Sequence, residues 1–123
     1  MLSHISLGVR DLARSVSFYD AVLAPLGQLQ VWSSEKGVGY GAPGGPDRLA
    51  LFHRPDTHPA GAGFHLAIFA PSEDAVRAFH AAALAQGGSD EGAPGPRPQY
   101  GESYFAAFVL DPDGHKLEVK VQR

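Results

Sequence analysis

The stretch HISLGVRDLARSVSFYDAVL, residues 4–23, carries the pattern of a strand followed by a helix. Apolar side chains alternate with polar or small ones up to Val9, which is typical of a half-buried strand. Asp11 can cap the following helix, whose apolar spacing ends at Pro25 and Gly27. Short apolar runs between turn residues then predict three strands, at residues 28–32, 38–41 and 49–52. The N-terminal half is therefore predicted to form a βαβββ unit.

The same order of elements begins again in the C-terminal half. Residues 64–69 predict a strand, and Ser72 can cap the next helix. An offset of 61 residues places His4 on His65 and Gly27 on Gly88. This agreement of residue types and element order indicates an internal repeat.

Beyond the second helix the offset between the two copies increases to 68 residues. The increase comes from a longer Gly/Pro loop, predicted at residues 87–101, and it aligns residues 49–51 with residues 117–119. Asp111-Pro112-Asp113-Gly114 has the residue types of a tight turn. We therefore expect a final hairpin from residues 104–110 and 116–121.

Each half of about 60 residues would be marginally stable alone, because it has one sheet face left to bury. We therefore predict a single domain over residues 1–123, with module one at about residues 1–56 and module two at about residues 62–123. The predicted fold class is α+β. Two βαβββ modules in tandem form a curled, cleft-bearing mixed sheet with helices on its convex face.

Composition excludes several classes of function. The chain of 123 residues has a formal net charge of −3, which gives no basic surface for nucleic acid. No apolar run is long enough to cross a membrane, and no signal peptide precedes the first strand, so we expect a soluble, cytoplasmic protein that binds a small molecule. Cys is absent. Any metal must then be bound by His and carboxylate ligands.

Two of the six His residues stand apart from the rest. We expect His58, His80 and His115 at the surface, where most polar His residues lie. His4 and His65 occupy equivalent strand positions in the repeat, and strand alternation turns both away from the face covered by the helices. They are the first candidates for a shared site.

Glu118 is predicted to lie on the same side of the sheet as these two His residues, because its neighbours in the strand are apolar. A lone carboxylate there is costly unless it is paired or bound to a metal. Two imidazoles and one carboxylate suit a divalent ion such as Fe, Ni, Zn, Mn or Co. The alternative is that Glu118 pairs with Lys116, Lys120 or an Arg while the His residues form hydrogen bonds in the core.

Several motifs resemble those of the vicinal oxygen chelate superfamily, which includes glyoxalase I, extradiol dioxygenases and bleomycin-resistance proteins. They are residues 4–12 (HISLGVRDL), residues 15–19 (SVSFY), residues 64–67 (FHLA) and residues 108–118 (FVLDPDGHKLE). The resemblance covers essentially the whole chain. It implies paired modules whose concave face binds a divalent metal, with His4, His65 and Glu118 as the ligands.

The resemblance implies a divalent-metal-dependent enzyme of the glyoxalase/dioxygenase type, a lyase, isomerase or dioxygenase that acts through metal-chelated vicinal oxygens of a small substrate. Ala50 stands where glyoxalase I carries a further ligand, so no general base is assigned and no residue is predicted to be catalytic. The alternative is a metal-free protein of the bleomycin-resistance type that sequesters a drug or metabolite.

Two groups of side chains are predicted to bind the substrate. Residues 94–104 are expected to close over the concave face and supply Arg97, Tyr100 and Tyr104, while Tyr40, Phe52 and Phe108 are expected to line it. We also expect a homodimer, because paired modules leave open sheet edges that a second chain can cover. If the ligands are shared, His4 of one subunit meets His65 and Glu118 of the other.

Overall fold

The computed structural model describes residues 1–123 and contains two βαβββ modules, as predicted. The elements of module one are β1 (Ile5–Val9), α1 (Leu12–Leu23), a 3-10 turn (Ala24–Leu26), β2 (Leu29–Ser33), β3 (Gly37–Gly41) and β4 (Leu49–His53). The elements of module two are β5 (Leu66–Ala70), α2 (Glu73–Ala85), β6 (Ser89–Pro96), β7 (Phe105–Leu110) and β8 (Lys116–Val121).

Each module forms its own four-stranded mixed sheet, and the two sheets have the same topology. Their strand orders are β1-β4-β3-β2 and β5-β8-β7-β6, with the first pair in each sheet parallel. Ser6 lies opposite Ala50 in module one, and Ala67 lies opposite Glu118 in module two. These registers confirm the offsets of 61 and 68 residues. Ala50 therefore occupies in module one the position that Glu118 occupies in module two.

The predicted caps form at both helices. Asp11 accepts a hydrogen bond from the backbone N–H of Arg14 at 3.0 Å, and Ser72 accepts one from that of Ala75 at 3.1 Å. Each bond satisfies one of the free N–H groups of a first helical turn. After α1, Gly27 adopts a φ of 76°, a left-handed conformation that ends the helical segment.

The sequence pattern predicts a loop at residues 87–101, but the structure has strand β6 within this segment. Its Gly/Pro-rich composition is atypical of strands. The strand forms because it lies at the edge of its sheet and is interrupted by irregular register at Gly92, and edge strands and bulges tolerate Pro and Gly. As a result, residues 94–96 belong to the sheet, and residues 97–104 alone connect β6 to β7.

Both modules contribute to one hydrophobic core. Phe18 and Tyr19 of α1 and Phe79 of α2 are fully buried, and they belong to a cluster of 22 buried residues drawn from both halves of the chain. Neither helix has the length or apolar character needed to span a lipid bilayer.

The β7–β8 turn also joins the modules through buried polar contacts. The fully buried side chain of Asp113 accepts hydrogen bonds from the backbone N–H of Arg10 at 3.0 Å and from Ser15 Oγ at 3.2 Å. The guanidinium groups of Arg10 and Arg14 lie 3.4 Å from the same carboxylate. His115 Nε2 donates to the Gly8 carbonyl at 2.8 Å. The expectation of a surface His115 was wrong, because this contact between modules buries the ring.

Asp111 stabilises the turn from within. One carboxylate oxygen accepts the backbone N–H groups of Asp113 and His115, each at 2.9 Å, and the other accepts the Tyr19 hydroxyl at 2.6 Å. Burial raises the pKa of Asp111, although these hydrogen bonds oppose the rise. Burial and the neighbouring Asp111 also raise the pKa of Tyr19. The polar residues of this turn therefore have a structural role.

We predict that Asp113→Ala lowers the free energy of unfolding by about 2–3 kcal/mol, because it leaves buried donors on module one without an acceptor. Urea denaturation measures this change. The matched control is Asp74→Ala, which removes a side chain that is 95% exposed and forms only a surface pair with Arg77. The control is expected to change stability by less than about 0.5 kcal/mol. Equal effects of the two variants would contradict the structural role of Asp113.

Candidate functional site

His65 and Glu118 meet on the face of the second sheet that is not covered by the helices. Ala67 of β5 lies opposite Glu118 of β8, and His65 projects to the same face two residues earlier. His65 Nε2 lies 2.8 Å from Glu118 Oε1. The Glu118 side chain is almost fully buried, while the His65 side chain is 41% exposed. The pair therefore has a buried carboxylate and an imidazole that solvent can reach.

Tyr104 binds the other oxygen of Glu118. Its hydroxyl donates a hydrogen bond to Oε2. Burial, followed by this hydrogen bond, raises the pKa of Tyr104 to about 12, so the phenol remains protonated at neutral pH. No Lys or Arg forms an ion pair with Glu118. The alternative pairing with Lys116 or Lys120 is therefore not what the structure shows.

A cleft of about 650 Å³ opens beside this pair. Four of the predicted substrate-binding residues line it, namely Arg97, Tyr100, Tyr104 and Phe108. The His65 and Phe108 rings approach edge-on with centroids 5.8 Å apart, and Tyr100 approaches Tyr104 at 5.4 Å. The cleft thus combines an acid and imidazole pair with aromatic walls.

Two predicted substrate-binding residues lie in module one and do not line this cleft. Tyr40 is a core residue with 1% of its surface exposed, and its hydroxyl donates to Asp20 at 2.8 Å. Its burial and the Asp20 contact raise its pKa. Phe52 packs against Trp32 with ring centroids 5.8 Å apart. The strand pattern explains why Tyr40 is buried. The glycines at every second position of β3 lie on one face of the sheet, and Tyr40 lies on the opposite face, in the core.

His4 lies in a different groove from His65 and Glu118. This groove runs between β1 and β5 and is lined by residues that include Ile5, Leu66 and Ile68. The His4 ring forms a hydrogen bond with Ser3 Oγ at 2.9 Å. One chain places no three His or acidic side chains close enough together to hold a metal ion. A single chain therefore brings together two of the three predicted ligands.

The cleft is also lined by three residues that were not predicted to bind the substrate, namely Glu91, Gly92 and Lys116. Lys116 has the same strand parity as Glu118, so alternation was a usable signal for it. Glu91 and Gly92 lie on β6, and they were missed because that strand was missed.

The His65–Glu118 pair fits two ligands of one divalent ion. Two donor atoms that bind one ion at about 2.1 Å and at right angles are about 3.0 Å apart. The observed distance between Nε2 and Oε1 is 2.8 Å, which is close to this separation, but the two atoms face each other in a hydrogen bond and the imidazole would have to turn to direct Nε2 at an ion. Tyr104, which donates to Oε2, would in that case orient the carboxylate.

Comparisons with known proteins agree with the fold. The family model of the Glyoxalase/Bleomycin resistance protein/Dioxygenase superfamily matches residues 1–119. A glyoxalase/bleomycin resistance protein from Albidiferax ferrireducens T118 is 33% identical with a TM-score of 0.83, and the match covers 99% of this chain and 98% of that one. No curated protein sequence matches significantly.

More distant solved structures share the fold alone. A glyoxalase-related enzyme from Fulvimarina pelagi is 22% identical with a TM-score of 0.74, over 99% of this chain and 88% of that one. A genomically encoded fosfomycin resistance protein, FosX, from Listeria monocytogenes is 21% identical with a TM-score of 0.72, over 100% of this chain and 93% of that one. From the family-model match over nearly its whole length, the chain belongs to the Glyoxalase/Bleomycin resistance protein/Dioxygenase superfamily.

Proposed function

We propose that this chain is a divalent-metal-dependent enzyme of the glyoxalase/dioxygenase type. Its small substrate binds through vicinal oxygens at a site formed by His65 and Glu118 together with His4 of the partner subunit in a homodimer. The observation that carries the proposal is the 2.8 Å separation of His65 Nε2 and Glu118 Oε1 in a cleft that can hold a small molecule. The metal would act as a Lewis acid on the paired oxygens of the substrate.

A shared site is supported by the open edges of the two sheets. β1 is the edge strand of the first sheet and β5 is that of the second, so the outer backbone groups of both have no partner strand within the chain. Apolar side chains next to these edges are exposed, and they include Leu2 and Phe69, which are 67% and 55% exposed. A second copy that pairs with these edges would cover them and bring its His4 towards the His65–Glu118 pair.

The residues around the pair have separate roles in this proposal. Glu118 supplies a ligand oxygen through Oε1, while Tyr104 holds Oε2 and so fixes the orientation of the carboxylate. Phe108, which meets the His65 ring edge-on, limits the orientations of the imidazole. The aromatic walls exclude water from one side of a bound substrate.

The position of Ala50 argues for dioxygenase-like chemistry over glyoxalase I chemistry. Ala50 has in module one the register position of Glu118 and offers no ligand or base. Phe52, two residues later on the same strand, is equally inert. The three-ligand set leaves coordination positions for two substrate oxygens and for a further small molecule.

A metal-free binding protein is the second candidate, and one observation favours it. The two oxygens of Glu118 already have partners in His65 and Tyr104, so the buried carboxylate is satisfied without a cation. The aromatic rings of Tyr100, Tyr104 and Phe108 would then hold a planar drug or metabolite in the cleft without chemistry.

We predict tightly bound divalent metal, near one ion per chain, after expression with added metal. Elemental analysis should show that it is lost in His65→Ala, Glu118→Ala and His4→Ala. His58→Ala is the matched control, since this exposed His contacts only the Pro59 carbonyl and should leave the metal content unchanged. Absence of metal from the folded parent protein would overturn the enzyme proposal and leave sequestration as the function.

We predict that Tyr104→Phe weakens metal binding about 10-fold or more, because a ligating carboxylate loses the group that orients it. A competition titration with a metal-binding dye measures the affinity. Tyr100→Phe is the control, since the Tyr100 ring is 61% exposed and its hydroxyl forms no hydrogen bond within the chain. If the two variants bind metal equally well, the orienting role of Tyr104 is wrong.

A further inference from the structure

Cationic side chains without a carboxylate partner gather in the cleft of module two. Arg97 and Lys116 line it, and neither forms an ion pair, although both are half-buried. Lys120 is the one other half-buried cation without an ion pair, and its Nζ lies 4.4 Å from the centre of the Tyr104 ring. Lys36 and Arg48 are unpaired as well, but they are exposed to water. A half-buried cation has lost part of its hydration, so an anionic ligand that pairs with it replaces less water than at an exposed cation.

Arg97 is held in place by neutral acceptors. One guanidinium nitrogen donates to the carbonyls of Gly95 at 2.9 Å and Pro96 at 3.4 Å, and the other donates to that of Ala93 at 2.8 Å. These bonds orient the group without neutralising it. Its Cζ lies 5.7 Å from the centre of the Phe108 ring. The position of the charge is therefore defined before any ligand arrives.

Gly92 provides the space in which Arg97 lies. A Cβ atom at this position would be 3.1 Å from Arg97 Nη2 and 3.1 Å from Phe108 Cδ1. Such contacts are tighter than ordinary van der Waals packing, so a side chain here would displace the guanidinium or the ring.

Lys116 approaches the same ring. Its Nζ lies 5.5 Å from the centre of Phe108, and the residue projects to the face of β8 that carries Glu118. Lys116 forms no ion pair with Glu118, whose two oxygens bind His65 and Tyr104. Glu91, the other acidic residue of the cleft, forms no ion pair either. The cleft lining therefore contains two carboxylates and two cations that are not ion-paired with them, and both cations lie against the Phe108 ring.

We propose that Arg97 and Lys116 form an anion-binding subsite beside Phe108, and that the substrate carries a carboxylate or a phosphate-like group there. Three of the five guanidinium N–H groups donate to the carbonyls, and the remaining two, on Nε and Nη2, can donate to either group, while the ammonium adds a second charge. The subsite rests on the proposed function only in assigning the anion to the substrate, because the anion site itself lies within one chain and needs no metal.

The test uses the full chain after treatment with a chelator and titrates it with inorganic phosphate and, separately, with acetate. NMR chemical shifts of the Arg97 side-chain N–H and of the backbone amides of Gly92, Ala93, Gly95 and Arg97 report binding. We expect saturable shifts with at least one of the anions, and the anion that binds more tightly identifies the class of group. Because no metal is present, the outcome is independent of the metal content that tests the proposed function.

Three variants and one control locate the bound anion. Arg97→Gln and Lys116→Gln should each weaken binding about tenfold or more, as expected for the loss of a charged hydrogen bond. Gly92→Ala should also weaken binding without changing any charge. Lys36→Gln removes an exposed charge between β2 and β3 and should leave binding unchanged. The proposal is overturned if neither anion gives saturable shifts, or if Lys36→Gln weakens binding as much as the cleft variants.

Discussion

The contact between the β7–β8 turn and module one is the constraint on which the rest of the structure depends. Asp113 and His115 are buried against the start of α1 and the end of β1, and the turn that carries them leads directly into β8. This contact joins the two modules and places the strand that carries Glu118. The β1 and β5 edges have no partner strand within the chain, and His4 lies outside the cleft that contains Glu118. The turn motif therefore contributes to the site through packing and not through contact with a ligand.

Much of the fold could be predicted because the chain repeats itself. The position of His65 relative to His4, and of Glu118 relative to Ala50, followed from offsets that the strand registers confirm. Strand β6 could not be predicted, since its Gly and Pro residues are acceptable only at an edge, and an edge is a property of the sheet and not of the segment. The burial of His115 could not be predicted either, because the carbonyl that accepts its hydrogen bond belongs to Gly8, 107 residues away in the chain.

The candidate site combines a rigid pair with a charged, aromatic end. Glu118 is held by Tyr104 on one oxygen and by His65 on the other, so its position is determined without any ligand. The Phe108 end of the cleft instead carries cations that lack a carboxylate. A substrate with vicinal oxygens at one end and an anionic group at the other would satisfy both parts. Its oxygens would bind at the His65–Glu118 pair, as in the proposed function, and its anionic group would bind at the Arg97–Lys116 subsite.

The central claim, that His4 of one subunit completes the site of the other, is tested most directly in a mixed dimer. Chains carrying His4→Ala and Glu118→Ala are coexpressed with different affinity tags, and the purified heterodimer is analysed for metal. A site shared between subunits restores one intact site per heterodimer, so we predict about half the metal content of the parent dimer. A metal-binding parent whose purified heterodimer contains no metal would contradict the account, since that result requires each site to form within one chain.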